Sequence, residues 1–258
     1  MFRKNGKTLN VLHAAVTFFV AVTFLGCRGD RESSSESKSA TELLLADQIA
    51  EGRLGQRDRL ELSKSPAGDS MLQDLSVSDD WVKALILDAG TITDEGVESI
   101  AKLTNLSHLR LRHSPIGDAG LSLIAGCQSL QILNLPQCGA SAEGVALLAR
   151  LPNLRNLRLG GPQLSAAAAR SVAAIKSLRN IHLIGIPVDD EGLRQIASLP
   201  KLQSLYLDDS SVTQDGWDWL FETHPDLHVH VNQRHLDRDH SEHDDALSPA
   251  AEAGEDHK

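Results

Sequence analysis

Aromatic side chains are scarce in this chain: five Phe, three Trp and one Tyr make up 3% of 258 residues. Globular cores of that length ordinarily use more rings, so another apolar scheme must fill the interior. Cysteine is scarcer still, at three residues, which excludes a disulfide-built scaffold. Positive charge is outweighed: 25 Lys and Arg face 35 Asp and Glu, a net charge of −10 that argues against a nucleic-acid partner. The apolar run near the start, Val11 to Leu25, has 15 residues, short of the roughly 20 that a membrane-spanning helix needs. Catalytic signatures are missing too. There is no Gly-x-Ser-x-Gly, no His-Glu-x-x-His and no phosphate-cradling glycine loop, so neither an enzyme nor a cofactor is predicted.

What is abundant is leucine at a fixed interval. The pattern L-x-x-L-x-L occurs six times in phase, from Val82, Leu106, Leu130, Leu154, Leu178 and Leu202, a step of 24 residues without insertion. Such a period predicts a solenoid, because one repeat cannot bury its apolar face alone and does so by stacking on its neighbours. Rows of Leu and Ile then replace the missing rings. Inside a repeat the period changes. Leu109 and Leu111 alternate as in a strand, whereas Leu121, Ile124 and Cys127 recur at helical spacing. Each repeat is predicted as a short strand, a turn and a helix of two to three turns. Before the helices stand Thr93, Gly117, Ser141, Ser165, Asp189 and Thr213, all residue types favoured at a helix N-cap. Three positions on, Gly96, Gly120, Gly144, Ala168, Gly192 and Gly216 form a small-residue column. Glycine lowers helix propensity there, so close packing against the neighbouring repeat is the expected reason for it.

These features resemble the leucine-rich-repeat family over roughly residues 80–231. The segments Thr93-Asp94-Glu95-Gly96-Val97, Gly117-Asp118-Ala119-Gly120-Leu121 and Asp190-Glu191-Gly192-Leu193 are similar to its D-x-G-L variant, found in ribonuclease-inhibitor-like and bacterial cell-envelope proteins. The resemblance implies an α/β solenoid with a curved parallel sheet on the concave side, helices on the convex side, and about six full repeats plus caps. Two departures stand out. The Asn or Cys usual after the strand occurs only as Cys138, with Gly90, Ser114, Pro162, Ile186 and Ser210 elsewhere, which puts the family's internal hydrogen-bond ladder in question. The fourth repeat, Ser165 to Arg170, lacks the Asp and the Gly.

The ends are different in kind. Arg3, Lys4 and Lys7 precede the apolar run, which closes on Phe24-Leu25-Gly26-Cys27. This targeting segment, residues 1–27, resembles a bacterial lipoprotein signal with Cys27 as the lipid-attachment residue, although Phe24 stands where an aliphatic side chain is usual. Ordinary cleavage nearby and an uncleaved short anchor are the alternatives. Residues 28–39, rich in Ser and charge, read as a flexible tether. Residues 40–80 are expected to cap the core with an amphipathic helix (40–54) and a degenerate strand at Leu60 and Leu62. The repeats proper occupy 81–231. Leu227, Val229 and Val231 read as a last edge strand, set 25 residues after Leu202 and therefore with a changed register. Trp217, Trp219 and Phe221 are placed to seal that end. Cys127 and Cys138 fall at opposite ends of their units and read as small buried hydrophobes rather than a disulfide. Residues 232–258 are acidic, His-rich and expected to be disordered. No spacing among those histidines defines a rigid metal site, so no metal is predicted.

Function is expected on the outward strand positions, three, five and seven of the motif. The third column reads Ala84, His108, Ile132, Asn156, Asn180, Ser204; the fifth Ile86, Arg110, Asn134, Arg158, His182, Tyr206; the seventh Asp88, Arg112, Pro136, Gly160, Ile184, Asp208. Their middle is basic, with His113 counted in it, and their far end is acidic, with Asp208 and Asp209 beside Tyr206. Arg, Tyr and His are residue types that anchor interfaces. The candidate binding set is His108, Arg110, Arg112, Asn134, Arg158, His182, Tyr206 and Asp208. The predicted function is an exported, membrane-anchored module, facing periplasm or exterior, that binds a protein partner, or an anionic envelope polysaccharide, on its concave face. The competing readings are a structural spacer of the cell envelope whose face charges only solubilise it, and a metal-buffering tail on an inert scaffold.

Overall fold

The computed structural model of the protein describes residues 40–235. The signal segment with Cys27, the tether and the tail from residue 236 lie outside them. Helix α1 (Ala40–Arg53) and strand β1 (Arg59–Leu62) come first. Strands β2 (Ala84–Leu87), β3 (His108–Leu111), β4 (Ile132–Leu135), β5 (Asn156–Gly160), β6 (Asn180–Ile184) and β7 (Ser204–Asp208) then alternate with helices. Those helices are α2 (Asp94–Ile100), α3 (Asp118–Ile124), α4 (Ala142–Leu147), α5 (Ala167–Ala173), α6 (Asp190–Ala197) and α7 (Gln214–Thr223). The described chain closes with β8 (His228–Val231) and β9 (Arg234–His235).

All strands join one sheet in chain order, and β1 to β8 are parallel. Leu85, Leu109, Leu133, Leu157, Ile181, Leu205 and Val229 are register partners from strand to strand, so the apolar row is continuous. Those seven side chains, with the helix row Ile100, Ile124, Leu148, Val172, Ile196 and Leu220, are buried. Each removes roughly 1.5–3 kcal/mol of apolar exposure from water. Three expectations need correction at the ends. The step of 24 holds between β7 and β8, with Ser204 opposite His228, so the strand register does not change. The cap of α7, Thr213, likewise lies 24 residues after Asp189, so nothing is inserted, and Leu227 stands one position later than the motif, level with Gln203. Nor is β8 the edge: Asn232 and Gln233 turn in the left-handed region, and β9 pairs back antiparallel with Arg234 opposite Val231. The polar tail therefore begins with ordered backbone at 232–235, because this hairpin satisfies part of an otherwise unpaired strand.

The opposite edge is closed by α1. Leu45 and Ile49 enter the core, while Leu44 is 50% exposed, so its inward face is narrow. Polar contacts complete the docking. Gln48 Nε2 donates to the Glu61 carbonyl at 2.9 Å and its Oε1 accepts from Glu61 N–H at 2.8 Å, occupying backbone groups of edge strand β1. Arg53 forms a two-pronged pair with buried Asp79, at 2.8 and 2.9 Å. At Gly52 the backbone lies so close to the Trp81 ring that a Cβ would overlap it.

The small-residue column has an electrostatic cause. Asp69, Asp94, Asp118 and Asp190 each reach forward one repeat and accept from the backbone N–H of the next helix's cap residue, at 2.9, 2.7, 2.8 and 2.8 Å. Three of them also accept from the hydroxyl of Thr93, Ser141 or Thr213, at 2.6, 2.8 and 2.7 Å. A Cβ at Gly96, Gly120, Gly144 or Gly216 would collide with the incoming carboxylate. Ala168 is tolerated because the residue reaching toward it is Ala142, not Asp. The same gap corrects the fourth cap: α5 has Ala166 at its N-cap with no side-chain hydrogen bond, rather than Ser165. This carboxylate ladder joins successive repeats at the starts of their helices.

Candidate functional site on the open face of the sheet

The outward columns stand on the face away from the helices, and β8 extends them. His228 follows Ser204 and His230 follows Tyr206 in register. The sequence carried that signal, since both lie one 24-residue step on, but the apparent register change hid it. All eight candidates occur on this face at intermediate burial, with none standing free in solvent. His113 does not join them. It is exposed on the turn after β3, with φ 57°, and its N–H donates to Gln137 Oε1 at 3.1 Å.

Much of the charge is matched within the face. Arg110 pairs with Asp88 of the preceding strand. His182 Nε2 meets Asp208 Oδ2 at 2.8 Å, and Asp208 Oδ1 accepts from Gln233 N–H at 3.2 Å. The expected acidic end is thus largely engaged internally, because the β8–β9 turn folds against it. Asp209 turns off the strand, with φ 57°, and its N–H donates to Asn232 Oδ1 at 2.8 Å. Asn180 Nδ2 donates to Asn156 Oδ1 at 3.0 Å, linking β5 and β6 by their side chains. Asn134 Oδ1 is buried and has no hydrogen-bond partner among the described residues.

Toward β8 the face becomes a ring cluster. Tyr206 stacks on His230 with centroids 4.6 Å apart and lies 5.6 Å from His182 and 5.9 Å from His228. His228 and His230 bring Nε2 atoms to 2.8 Å, one donating to the other. Burial lowers the pKa of His182 despite Asp208, and burial with Arg110 and Arg59 lowers that of His108. Both imidazoles are therefore held toward the neutral form, which softens the basic character read from sequence. Trp217, Trp219 and Phe221 are half-buried against the core's end, and Arg194 lies over the Trp219 ring at 5.3 Å.

Strand, turn and helix repeated in register, with a leucine row inside and a polar row outside, define a leucine-rich-repeat solenoid. A family model described as "Leucine Rich repeat" matches residues 102–125, one full step of the pattern. Among solved structures it is similar to an internalin (inlF) from Listeria monocytogenes str. 4b F2365, at 20% identity and a TM-score of 0.56, covering 73% of this chain and 51% of that one. It therefore spans about half the length of that internalin. The plant peptide hormone receptor RGFR1 in complex with RGF2 aligns at 19% identity and a TM-score of 0.43, over 71% of this chain and 29% of that one. No curated protein matches the sequence. Among the described residues no helix is long and apolar enough to cross a membrane.

Proposed function

We propose that the protein is an exported binding module, lipid-anchored through Cys27, that captures a protein partner on the open face of its sheet and is not an enzyme. The observation that carries this reading is the row of polar and aromatic side chains held half-buried in fixed positions on that face. Side chains already ordered by neighbours lose less conformational freedom on binding, so their contacts convert more fully into affinity. Arg158, Tyr206 and Asn134 lie on adjacent or near-adjacent strands and combine the residue types that anchor interfaces. An exposed sheet face is also the surface that solenoid architecture leaves available to ligands.

The test is pull-down from envelope extracts with the wild type and an Arg158→Glu/Tyr206→Ala variant of matched melting temperature. At least a tenfold loss of the captured protein is expected; equal recovery overturns the face assignment. The internal pairs Arg110–Asp88 and His182–Asp208 favour the second reading, a spacer without a discrete ligand, which predicts equal recovery. Mass spectrometry of the mature N-terminus tests the anchor: an acylated Cys27 is expected, and an unmodified or differently cleaved terminus overturns it.

A further inference from the structure

The edge of the sheet at the N-terminal ends of the strands carries a feature that the open face does not explain. From Gly144 to Val188 the chain has no Asp or Glu, yet it holds Arg150, Arg155, Arg158, Arg170, Lys176 and Arg179. In a protein of net charge −10 this segregation is local and strong. The fold gathers part of it into a groove. Two adjoining hollows of about 290 and 260 Å³ share Pro152, Ser177 and Lys201; Arg155 and Arg179 line the first and Lys176 the second. No carboxylate lines either.

Along this edge, short side chains normally tie one loop to the next. Asn105, Ser129, Asn153 and Ser177 donate to carbonyls of the preceding repeat at 2.8, 2.9, 3.0 and 3.3 Å. Lys201 occupies the next place in that column and makes no such bond. Arg179, in the following column but one, is exposed and forms no ion pair among the described residues. Arg155 is braced by Gln131 Oε1.

We propose that this groove binds the chain's own acidic segment, residues 237–256. That segment carries Asp237, Asp239, Glu242, Asp244, Asp245, Glu252, Glu255 and Asp256 against Arg238 alone. Its direction of departure fits. Because β9 runs antiparallel to the other strands, the described chain ends heading back toward the edge that bears the groove. From β9 to β6 is three strand spacings, about 15 Å, which roughly five extended residues span. The inference is independent of the open-face reading, which uses the other side of the strands.

Zero-length carbodiimide coupling of the full chain tests it, with links mapped by mass spectrometry and a mixture of isotopically labelled and unlabelled protein separating links within a chain from links between chains. Lys176 or Lys201 should join carboxylates of 237–256 within one chain. Arg155→Ser/Arg179→Ser should cut that yield at least fivefold while sparing the Lys83–Asp58 link, an ion pair of 3.1 Å that reports an intact fold. Tail links spread equally over Lys64 and Lys102, a yield unchanged in the double variant, or links only between chains would each overturn the proposal; the last would make a second copy the occupant.

Discussion

Asp79 shows how one residue holds an end of the solenoid. It is wholly buried, yet it accepts from Arg53, from Ser76 N–H and Oγ at 2.9 and 3.1 Å, and from Trp81 Nε1 at 3.1 Å. The Arg53 guanidinium holds its carboxyl far below the usual carboxylate range against the opposing cost of burial, and the Ser76 and Trp81 donors lower it further. A depressed carboxylate pKa stabilises the fold above the unfolded value near 3.9 and stops doing so as pH falls through the lower folded value. Asp79→Asn should cost about 3 kcal/mol in urea unfolding at pH 7, with the difference from wild type shrinking toward pH 2. His108 and His182 act through the same linkage with the proton on the unfolded side. Their native pKa values lie below 6.5, so the unfolded chain takes protons first and stability falls as pH drops below 6.5. A His108→Gln/His182→Gln protein should show a flatter loss between about pH 6.5 and 5; parallel curves would refute this. Burial also raises both thiols, Cys127 to about 11, which agrees with their expected role as packing residues.

At the scale of the element, turns and helices are linked by the carboxylate ladder rather than by each helix's own propensity. Asp118 and Gly144 form one unit across two repeats. Gly144→Ala alone should destabilise by about 1–3 kcal/mol through overlap with the Asp118 carboxylate. Placed on Asp118→Ala it should become neutral or stabilising, because alanine is the better helix former. That double substitution copies the Ala142–Ala168 pairing already present one repeat on. A coupling below about 0.5 kcal/mol in the cycle would show the two sites to be independent. Helix α1 depends likewise on a close approach. Gly52→Ala should drive Trp81 from its place, undock the helix, and remove hydrogen-exchange protection from β1, whose edge Gln48 covers.

For the whole molecule, stability is a sum over neighbouring repeats, so a whole step can be removed where a fraction cannot. Excising residues 107–130 should leave a cooperative fold with a lower melting temperature by circular dichroism. Excising 20 residues at the same place should abolish cooperative melting, because every later leucine would lose its register. Much of this architecture was legible in sequence. Leu85 to Leu205 announce the strands by spacing alone, since an inward row must repeat wherever identical units stack. Glycine at 96, 120, 144 and 216 also marks a tight contact in sequence, although what crowds it does not appear there: Asp94 and its counterparts act across 23 or more residues. The outward columns were readable as positions but not as charges. Whether Arg110 is free or paired with Asp88, and whether Asp208 is open or occupied by His182 and Gln233, depends on side chains from different repeats meeting across a strand spacing. Local periodicity by itself determined the repeat, the core and the facing of each residue, because those follow from one unit stacked on its copy. Only the tertiary structure decided the capped edges, the carboxylate ladder, the pairing on the open face and the acid-free groove, because each arises from residues that the chain brings together only when the stack is complete.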